Sequence, residues 1–181
     1  CGGDDLSQFA DGSFDFVTMN MALMFVPDRV KCLQECARVL KPGGKVLSTV
    51  WKENAFVACI GKSMAKLLHP KSPGAPPAIN PMALASDNAQ EDLAAAAGLA
   101  VVHAEVYDMP MHFPSEEVAR AAILIPVGPN LKALEEDGMA GATTKFQDLW
   151  LDTAPEVGIV KDATGGFPIQ GKHQMIALST P

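Results

Sequence analysis

Apolar residues recur at helical spacing over residues 28–40, and a continuous run of strand-forming residues follows. The helical segment has an apolar side chain every three or four positions, and Asp28 is suited to be its N-cap. The sequence Lys-Pro-Gly-Gly at 41–44 predicts a tight turn, because proline cannot continue a helix and either glycine can adopt the left-handed conformation that closes it. The β-branched, mostly uncharged run at 45–51 predicts a strand buried on both faces, as in a parallel sheet.

The rest of the chain continues the alternation of strand and helix. The other predicted elements are a strand at 14–21, a helix at 56–68, a helix at 87–97 that Gly98 ends, a strand at 101–106, helical pieces within 115–153, and a hairpin strand at 174–180 that follows a turn at 162–166. Ser115 is the predicted N-cap of the first helical piece, and the predicted breaks between pieces are Pro126, Pro129, Gly138 and Gly141. This order predicts a three-layer α/β fold.

Composition and charge narrow the class of protein. The 181 residues carry a net charge of −7, which argues against a surface that follows nucleic-acid phosphates. No uncharged apolar run approaches the length of a membrane span. The first residues lack the pattern of a signal peptide. The chain starts with Cys1 and not with methionine, so we expect a fragment of a longer protein. Four irregularly spaced cysteines fit the cytoplasm or another reducing intracellular compartment.

Two spaced motifs carry a family resemblance. The segment from Phe9 to Trp51 contains D-G-S-F-D at the start of a strand and R-V-L-K-P-G-G before the next strand. It resembles the class I S-adenosylmethionine-dependent methyltransferases, and within them the small-molecule branch (methyltransferase type 11-like) that includes ubiquinone and menaquinone biosynthesis enzymes. The resemblance implies a Rossmann-like fold with a mostly parallel sheet, an antiparallel last strand and a helical insertion. It also implies S-adenosyl-L-methionine as the cofactor.

The chain departs from that family at its beginning. A strand followed by a Gly-rich G-x-G-x-G turn would hold the cofactor, and the sequence has no such turn between a strand and a helix. We therefore expect the N-terminal part with this motif to be missing, so that the isolated chain binds the cofactor weakly or not at all. By the resemblance, the partial domain divides into core strands 4 and 5 with helices at 1–68, a Pro-rich lid segment at 69–86, a helix and strand 6 at 87–109, a helical insertion at 110–171 and the last strand at 172–181.

The resemblance also assigns cofactor contacts. After the third strand, an acidic residue and a small residue would hold the adenine, and the matching positions are Asp4 or Asp5, with Leu6 beside them. Asn20 lies at the carboxyl end of the strand at 14–21, where ligands bind in open α/β sheets. Met21 and Met24 are expected to face the same site and to line an apolar substrate pocket there. No residue is assigned as the catalytic base.

The remaining chemistry-bearing residues do not form a recognisable motif. Cys32 and Cys36 share a helix face but have no histidine nearby, and the four histidines are scattered, so no metal site is predicted. Thr49 and its neighbour Ser48 lie in a strand without the context of a nucleophile.

We expect methyl transfer to a small-molecule acceptor in the complete protein. The alternative is a non-catalytic module that packs against a partner chain. A nicotinamide dehydrogenase is disfavoured because no dinucleotide-binding turn is present. We also expect a bare sheet edge and apolar face around Phe16, Val17 and Met19, through which the isolated chain forms homo-oligomers.

Overall fold

The computed structural model describes residues 3–68 and 81–180, so most of the predicted Pro-rich lid segment lies outside the described residues. The strands are β1 (Phe14–Asn20), β2 (Leu40–Asn54), β3 (Ala100–Asp108), β4 (Met111–Phe113), β5 (Phe167–Ile169) and β6 (Gly171–Ser179). The helices are α1 (Arg29–Val39), α2 (Ala55–Leu68), α3 (Ala89–Ala96), α4 (Glu116–Ala122), α5 (Leu124–Glu136) and α6 (Ala142–Thr153), with short 3₁₀ turns at Leu23–Phe25 and Ala154–Val157.

The described residues form two compact units. The first contains residues 3–53, 81–108 and 172–180, and the second contains residues 54–68 and 109–171. The second unit is therefore inserted twice into the chain of the first, once after β2 and once between β3 and β6.

The first unit is built on a four-stranded sheet with the order β1-β2-β6-β3. β1 and β2 are parallel, with Val17 opposite Val46 and Asn20 opposite Thr49. β3 and β6 are antiparallel. The four long predicted strands thus lie in one sheet with a parallel first pair and an antiparallel last strand, and the predicted Rossmann-like α/β fold is confirmed.

The core of the first unit lies on one face of this sheet. Its buried residues come from α1, α3 and the facing positions of β2 and β6, including Leu33, Val46, Val50 and Ile176. Burial along β2 alternates: Val46, Ser48 and Val50 are buried, whereas the residues between them are half-buried. The prediction that this strand is buried on both faces is therefore wrong for the described residues, because the helices α1 and α3 pack on one face.

Strand β1 lies at one end of the sheet and is less bare than predicted. Phe16 is 61% exposed, as expected for an uncovered face. Val17 and Met19 instead pack against the buried core. The prediction for these two residues is wrong because side chains alternate along a strand, and theirs point to the helical face.

Strand β2 begins at Leu40, before its predicted start at Lys45. Residues 41–44 form an irregularity in the strand, where the register with β1 shifts, and not a separate turn. Gly43 has the predicted left-handed backbone, with φ of 77°. This conformation forms part of the irregularity in β2. It does not end α1, because Leu40, the C-cap of that helix, already has an extended backbone.

The second unit packs its helices around aromatic side chains. Trp150, Phe146 and Leu131 are fully buried, and Trp150 makes edge contacts with Phe56 and Phe167. Ser115 caps α4 by accepting a hydrogen bond from the Val118 N–H, as predicted.

Two of the predicted helix breaks lie inside α5. Gly138 and Gly141 lie between α5 and α6, as predicted, and both have a positive φ. Pro126 is the third residue of α5, and the first N–H groups of a helix have no acceptor within it, so proline is tolerated there. Pro129 lies in the interior of α5. Pro129 removes the hydrogen bond to the carbonyl of Ile125, whose residue is 82% exposed, so water can solvate that carbonyl.

The turn at 162–166 does not lead directly into the last strand. Asp162 Oδ1 accepts hydrogen bonds from the N–H groups of Thr164 and Gly166, and the turn leads into β5. β5 pairs with β4, and β6 pairs with β3. The predicted closing hairpin is thus wrong in its partner: β3 and β6 pair across the long insertion.

Candidate functional site

β1 and β2 are parallel, and β1 ends beside the middle of β2, several residues before β2 ends at Asn54. Asn20 and Thr49 are directly opposite there. The Thr49 hydroxyl donates a hydrogen bond to Asn20 Oδ1 over 2.6 Å. This bond holds the exposed amide in one orientation, and Asn20 Nδ2 makes no hydrogen bond within residues 3–68 and 81–180.

Met21, the residue after β1, has an uncommon backbone conformation. Its φ is 50°, a left-handed value that few residues other than glycine adopt. Its N–H donates to both the carbonyl oxygen and the hydroxyl of Thr49, over 3.1 and 3.0 Å. Such outliers cost about 1–3 kcal/mol and cluster where ligands bind. Thr49 therefore fixes both predicted residues, Asn20 and Met21.

The N-terminal loop lies against α1. A Cβ placed on Gly3 would lie 3.0 Å from Cys32 Sγ, and Cys32 Sγ is 3.8 Å from Met19 Sδ. Cys32 thus lies between the start of the loop and the last residues of β1.

The three predicted adenine-side residues have different surroundings. Asp4 is half-buried and accepts no hydrogen bond within the described part of the chain. Asp5 is exposed, and its carboxylate accepts a hydrogen bond from the Ser7 N–H over 3.1 Å. Hydrogen bonds from Ser7 lower the pKa of Asp5. Leu6 packs against the core of the first unit, and its N–H donates to Glu35 Oε2 over 3.0 Å.

Arg38 holds this loop in place, a role that the sequence analysis missed. Its guanidinium donates to the carbonyl oxygens of Leu6 and Phe9 over 2.9 and 3.0 Å. It also binds the carboxylates of Glu35 and Asp11. Hydrogen bonds with these two acids raise the pKa of Arg38. The Glu-x-x-Arg spacing predicts the pair within the helix, but the loop partners are too distant in sequence to be read from it.

The surroundings of two further residues differ from those that the sequence predicts. Met24 is only 1% exposed and belongs to the core, so the prediction that it faces the site is wrong. Its position in a 3₁₀ turn, beside buried Leu23, turns it inward. The sequence predicts Thr49 only as a strand residue, and the register of β1 on β2 places it beside Asn20.

Cys32 and Cys36 of α1 are buried. A hydrogen bond with Cys32, together with burial, raises the pKa of Cys36. Both thiols are 1% exposed, which makes them packing residues. Among the described residues, no helix is both long enough and apolar enough to cross a bilayer.

Comparison with known proteins gives the family of the N-terminal segment. Residues 2–48 match the family described as methyltransferase domain. A demethylmenaquinone methyltransferase of Halalkalibacterium halodurans is 56% identical over 39 residues, which cover 22% of this chain and 16% of that protein. This segment is similar to part of a methyltransferase domain. The resemblance seen between Phe9 and Trp51 is therefore confirmed, although the match spans less than two thirds of its curated relative.

Solved structures extend the similarity of fold to the whole chain. A candidate methyltransferase of Bacillus halodurans C-125 has a TM-score of 0.56 at 16% identity, with 100% of this chain and 70% of that chain covered. The YcgJ protein of Bacillus subtilis has a TM-score of 0.55 at 19% identity, with 98% and 68% covered. At these identities the likeness shows the fold beyond residue 48.

Proposed function

We propose that the complete protein transfers the methyl group of S-adenosyl-L-methionine to a small-molecule acceptor. The observation that carries this proposal is the methyltransferase-domain segment, whose β1 ends in the Asn20–Thr49 pair and the left-handed Met21. The cofactor supplies a methyl group on a sulfonium, which leaves as a neutral thioether. The protein then has mainly to align the acceptor with the methyl group and exclude water.

The described residues fit the adenosine end of this cofactor. The half-buried Asp4 carboxylate has acceptor capacity for an exocyclic amino group, whereas Asp5 already accepts a bond from Ser7. Between the two alternatives from the sequence, we therefore propose Asp4. Leu6 offers an apolar wall, and Asn20 Nδ2 offers a donor whose direction Thr49 sets.

A small-molecule acceptor is supported by charge and by one relative. A net charge of −7 opposes the approach of nucleic acid. The relative from Halalkalibacterium halodurans is named for demethylmenaquinone, which makes that quinone the first acceptor to assay. No comparison favours the alternative of a non-catalytic module. We also propose a reducing compartment, because Cys32, Cys36 and Cys59 are free and buried.

The test is a transfer assay on the product of the complete reading frame. Methyl-labelled S-adenosylmethionine is incubated with demethylmenaquinone, a cell metabolite extract, total RNA and total protein as separate acceptors. We expect label in one of the two small-molecule samples. Label confined to RNA or protein contradicts the acceptor class, and no transfer to any sample contradicts the activity.

A further inference from the structure

Strand β3 has an exposed and unpaired outer edge. It pairs with β6 on one side and ends the sheet, so no strand of the described chain pairs with its other side. All its residues except Tyr107 are exposed. Val102 and Val106 are 51% and 50% exposed, and Val101 is 42% exposed. An edge of this kind presents backbone donors and acceptors to another strand.

The usual features that protect an edge are scarce in β3. It extends over nine residues and contains neither lysine nor proline. Its register with β6 shifts between Val101 and His103 and is regular from there to Asp108. The shift places an irregularity at Val102, and the part of the strand from His103 to Asp108 is regular enough to accept a partner.

The sequence of β3 is complementary to itself when two copies run antiparallel about Ala104. Val102 then lies opposite Val106 of the second copy, and Val101 lies opposite Tyr107. These are pairs of β-branched and aromatic side chains, which stabilise adjacent strands. The symmetry makes each pair occur twice.

The hydrogen-bonding side chains favour this register over its neighbours. Pairing about Ala104 places His103 opposite Glu105 of the second copy, on both sides of the axis. Pairing about Glu105 would oppose two carboxylates, and pairing about His103 would oppose two imidazoles. Within one chain, His103 Nε2 already lies 3.3 Å from Glu105 Oε2, and the Tyr107 hydroxyl donates to the same oxygen over 2.6 Å. The acid is thus held where a second imidazole can approach it.

We propose that the protein forms a two-fold dimer in which β3 pairs antiparallel with β3 of a second copy. The two four-stranded sheets would then join into one continuous sheet. This interface differs from the oligomer contact expected at β1, which lies at the opposite end of the sheet. The proposed dimer does not depend on the proposed function.

Disulfide trapping tests the register directly. In a Cys1→Ser background, Ala104→Cys places two thiols across the two-fold axis, with Cα atoms about 4.5–5.5 Å apart. The matched control is Ala100→Cys, at an exposed position of the same strand that faces Asp108 and not itself. We expect mild oxidation to link the Ala104→Cys chains at least about tenfold faster. Equal rates for the two variants overturn the proposal.

A charge swap tests the interface without a covalent link. Sedimentation equilibrium should show a dimer, and Glu105→Lys should raise its dissociation constant at least about tenfold, because two cross-strand pairs are lost. The double variant His103→Glu/Glu105→Lys restores opposite charges and should recover the dimer. A monomer at all concentrations, or a dimer or larger assembly that ignores Glu105→Lys, overturns the proposal.

Discussion

At the scale of single residues, two glycines differ in whether their surroundings leave room for a side chain. A Cβ on Gly44 would lie 2.9 Å from the carbonyl oxygen of Lys41 and 3.1 Å from that of Asp15. A Cβ on Gly61, within α2, would meet nothing within 4 Å. The first glycine is required by close backbone approach, and the second only weakens a helix.

Alanine at each position should therefore change stability in opposite directions. We expect Gly44→Ala to lower the free energy of unfolding by about 1–3 kcal/mol, because backbone atoms must move. Gly61→Ala should raise it by about 0.5–1 kcal/mol through helix propensity. Urea denaturation of both variants measures the two changes. An unchanged free energy of unfolding for Gly44→Ala would show that the backbone of this irregularity can move away from a Cβ without cost.

Residue types in the sequence indicated some of the site but not its connections. Asn20 was predicted as a cofactor contact because it lies at the carboxyl end of a strand, where ligands bind in open α/β sheets. Thr49 and Arg38 were missed because their importance comes from partners in other segments, Thr49 through the register with Asn20 and Arg38 through the loop at 6–11. Local patterns carry no information on such contacts.

At the scale of elements, the N-terminal loop depends on α1 through one side chain. Arg38→Met keeps the aliphatic stem and removes the hydrogen bonds to Leu6 and Phe9. We expect faster hydrogen exchange at the Leu6 amide, whose acceptor Glu35 loses its partner, and little change in the middle of α1. Lys31→Met, at an exposed position of the same helix, is the control. Equal exchange at Leu6 in both variants would contradict this role of Arg38.

The turn before β5 should make the second unit sensitive to acid. Hydrogen bonds from Thr164 and His112 lower the pKa of Asp162. Because the folded pKa lies below the unfolded value of about 3.9, the stabilisation is present above that pH and is lost as the pH falls toward the folded pKa. Asp162→Asn should thus be less stable than the parent at pH 6, with a smaller difference at pH 3.

Urea denaturation at the two pH values, followed by fluorescence of the buried Trp150, measures this difference. Asp152→Asn is the control, since Asp152 is exposed on α6 and makes no hydrogen bond within the described part of the chain. If Asp162→Asn lowers the free energy of unfolding by the same amount at pH 3 and pH 6, the carboxylate charge is not the cause of the difference.

Most elements were predictable from local chemistry, and the errors have physical reasons. Asp28, Ser115 and Gly98 mark helix ends by their own backbone and side-chain chemistry, and each does so in the structure. Pro129 was read as a break, yet the helix continues where an exposed carbonyl can be solvated. The partner of β6 was missed because pairing across a long insertion leaves no local signal.

At the scale of the whole molecule, the fold could be predicted from two motifs and an alternating pattern. The motifs placed β1 and β2 side by side, and the segment that carries them matches a methyltransferase domain. The division into two units, with α2 in the second, was not predictable, because helix periodicity does not show which core a helix joins. The choice of substrate is likewise set by tertiary arrangement and not by a local pattern.

The central claim is that the end of β1 contacts the cofactor, and titration calorimetry with S-adenosylmethionine tests it most directly. The product of the complete reading frame should bind, and Asn20→Ala should weaken binding about fivefold to tenfold, through loss of one hydrogen bond of about 1 kcal/mol. Thr18→Ala is the matched control, an exposed residue on the same strand. Absence of binding, or equal affinity for Asn20→Ala and Thr18→Ala, would contradict the account.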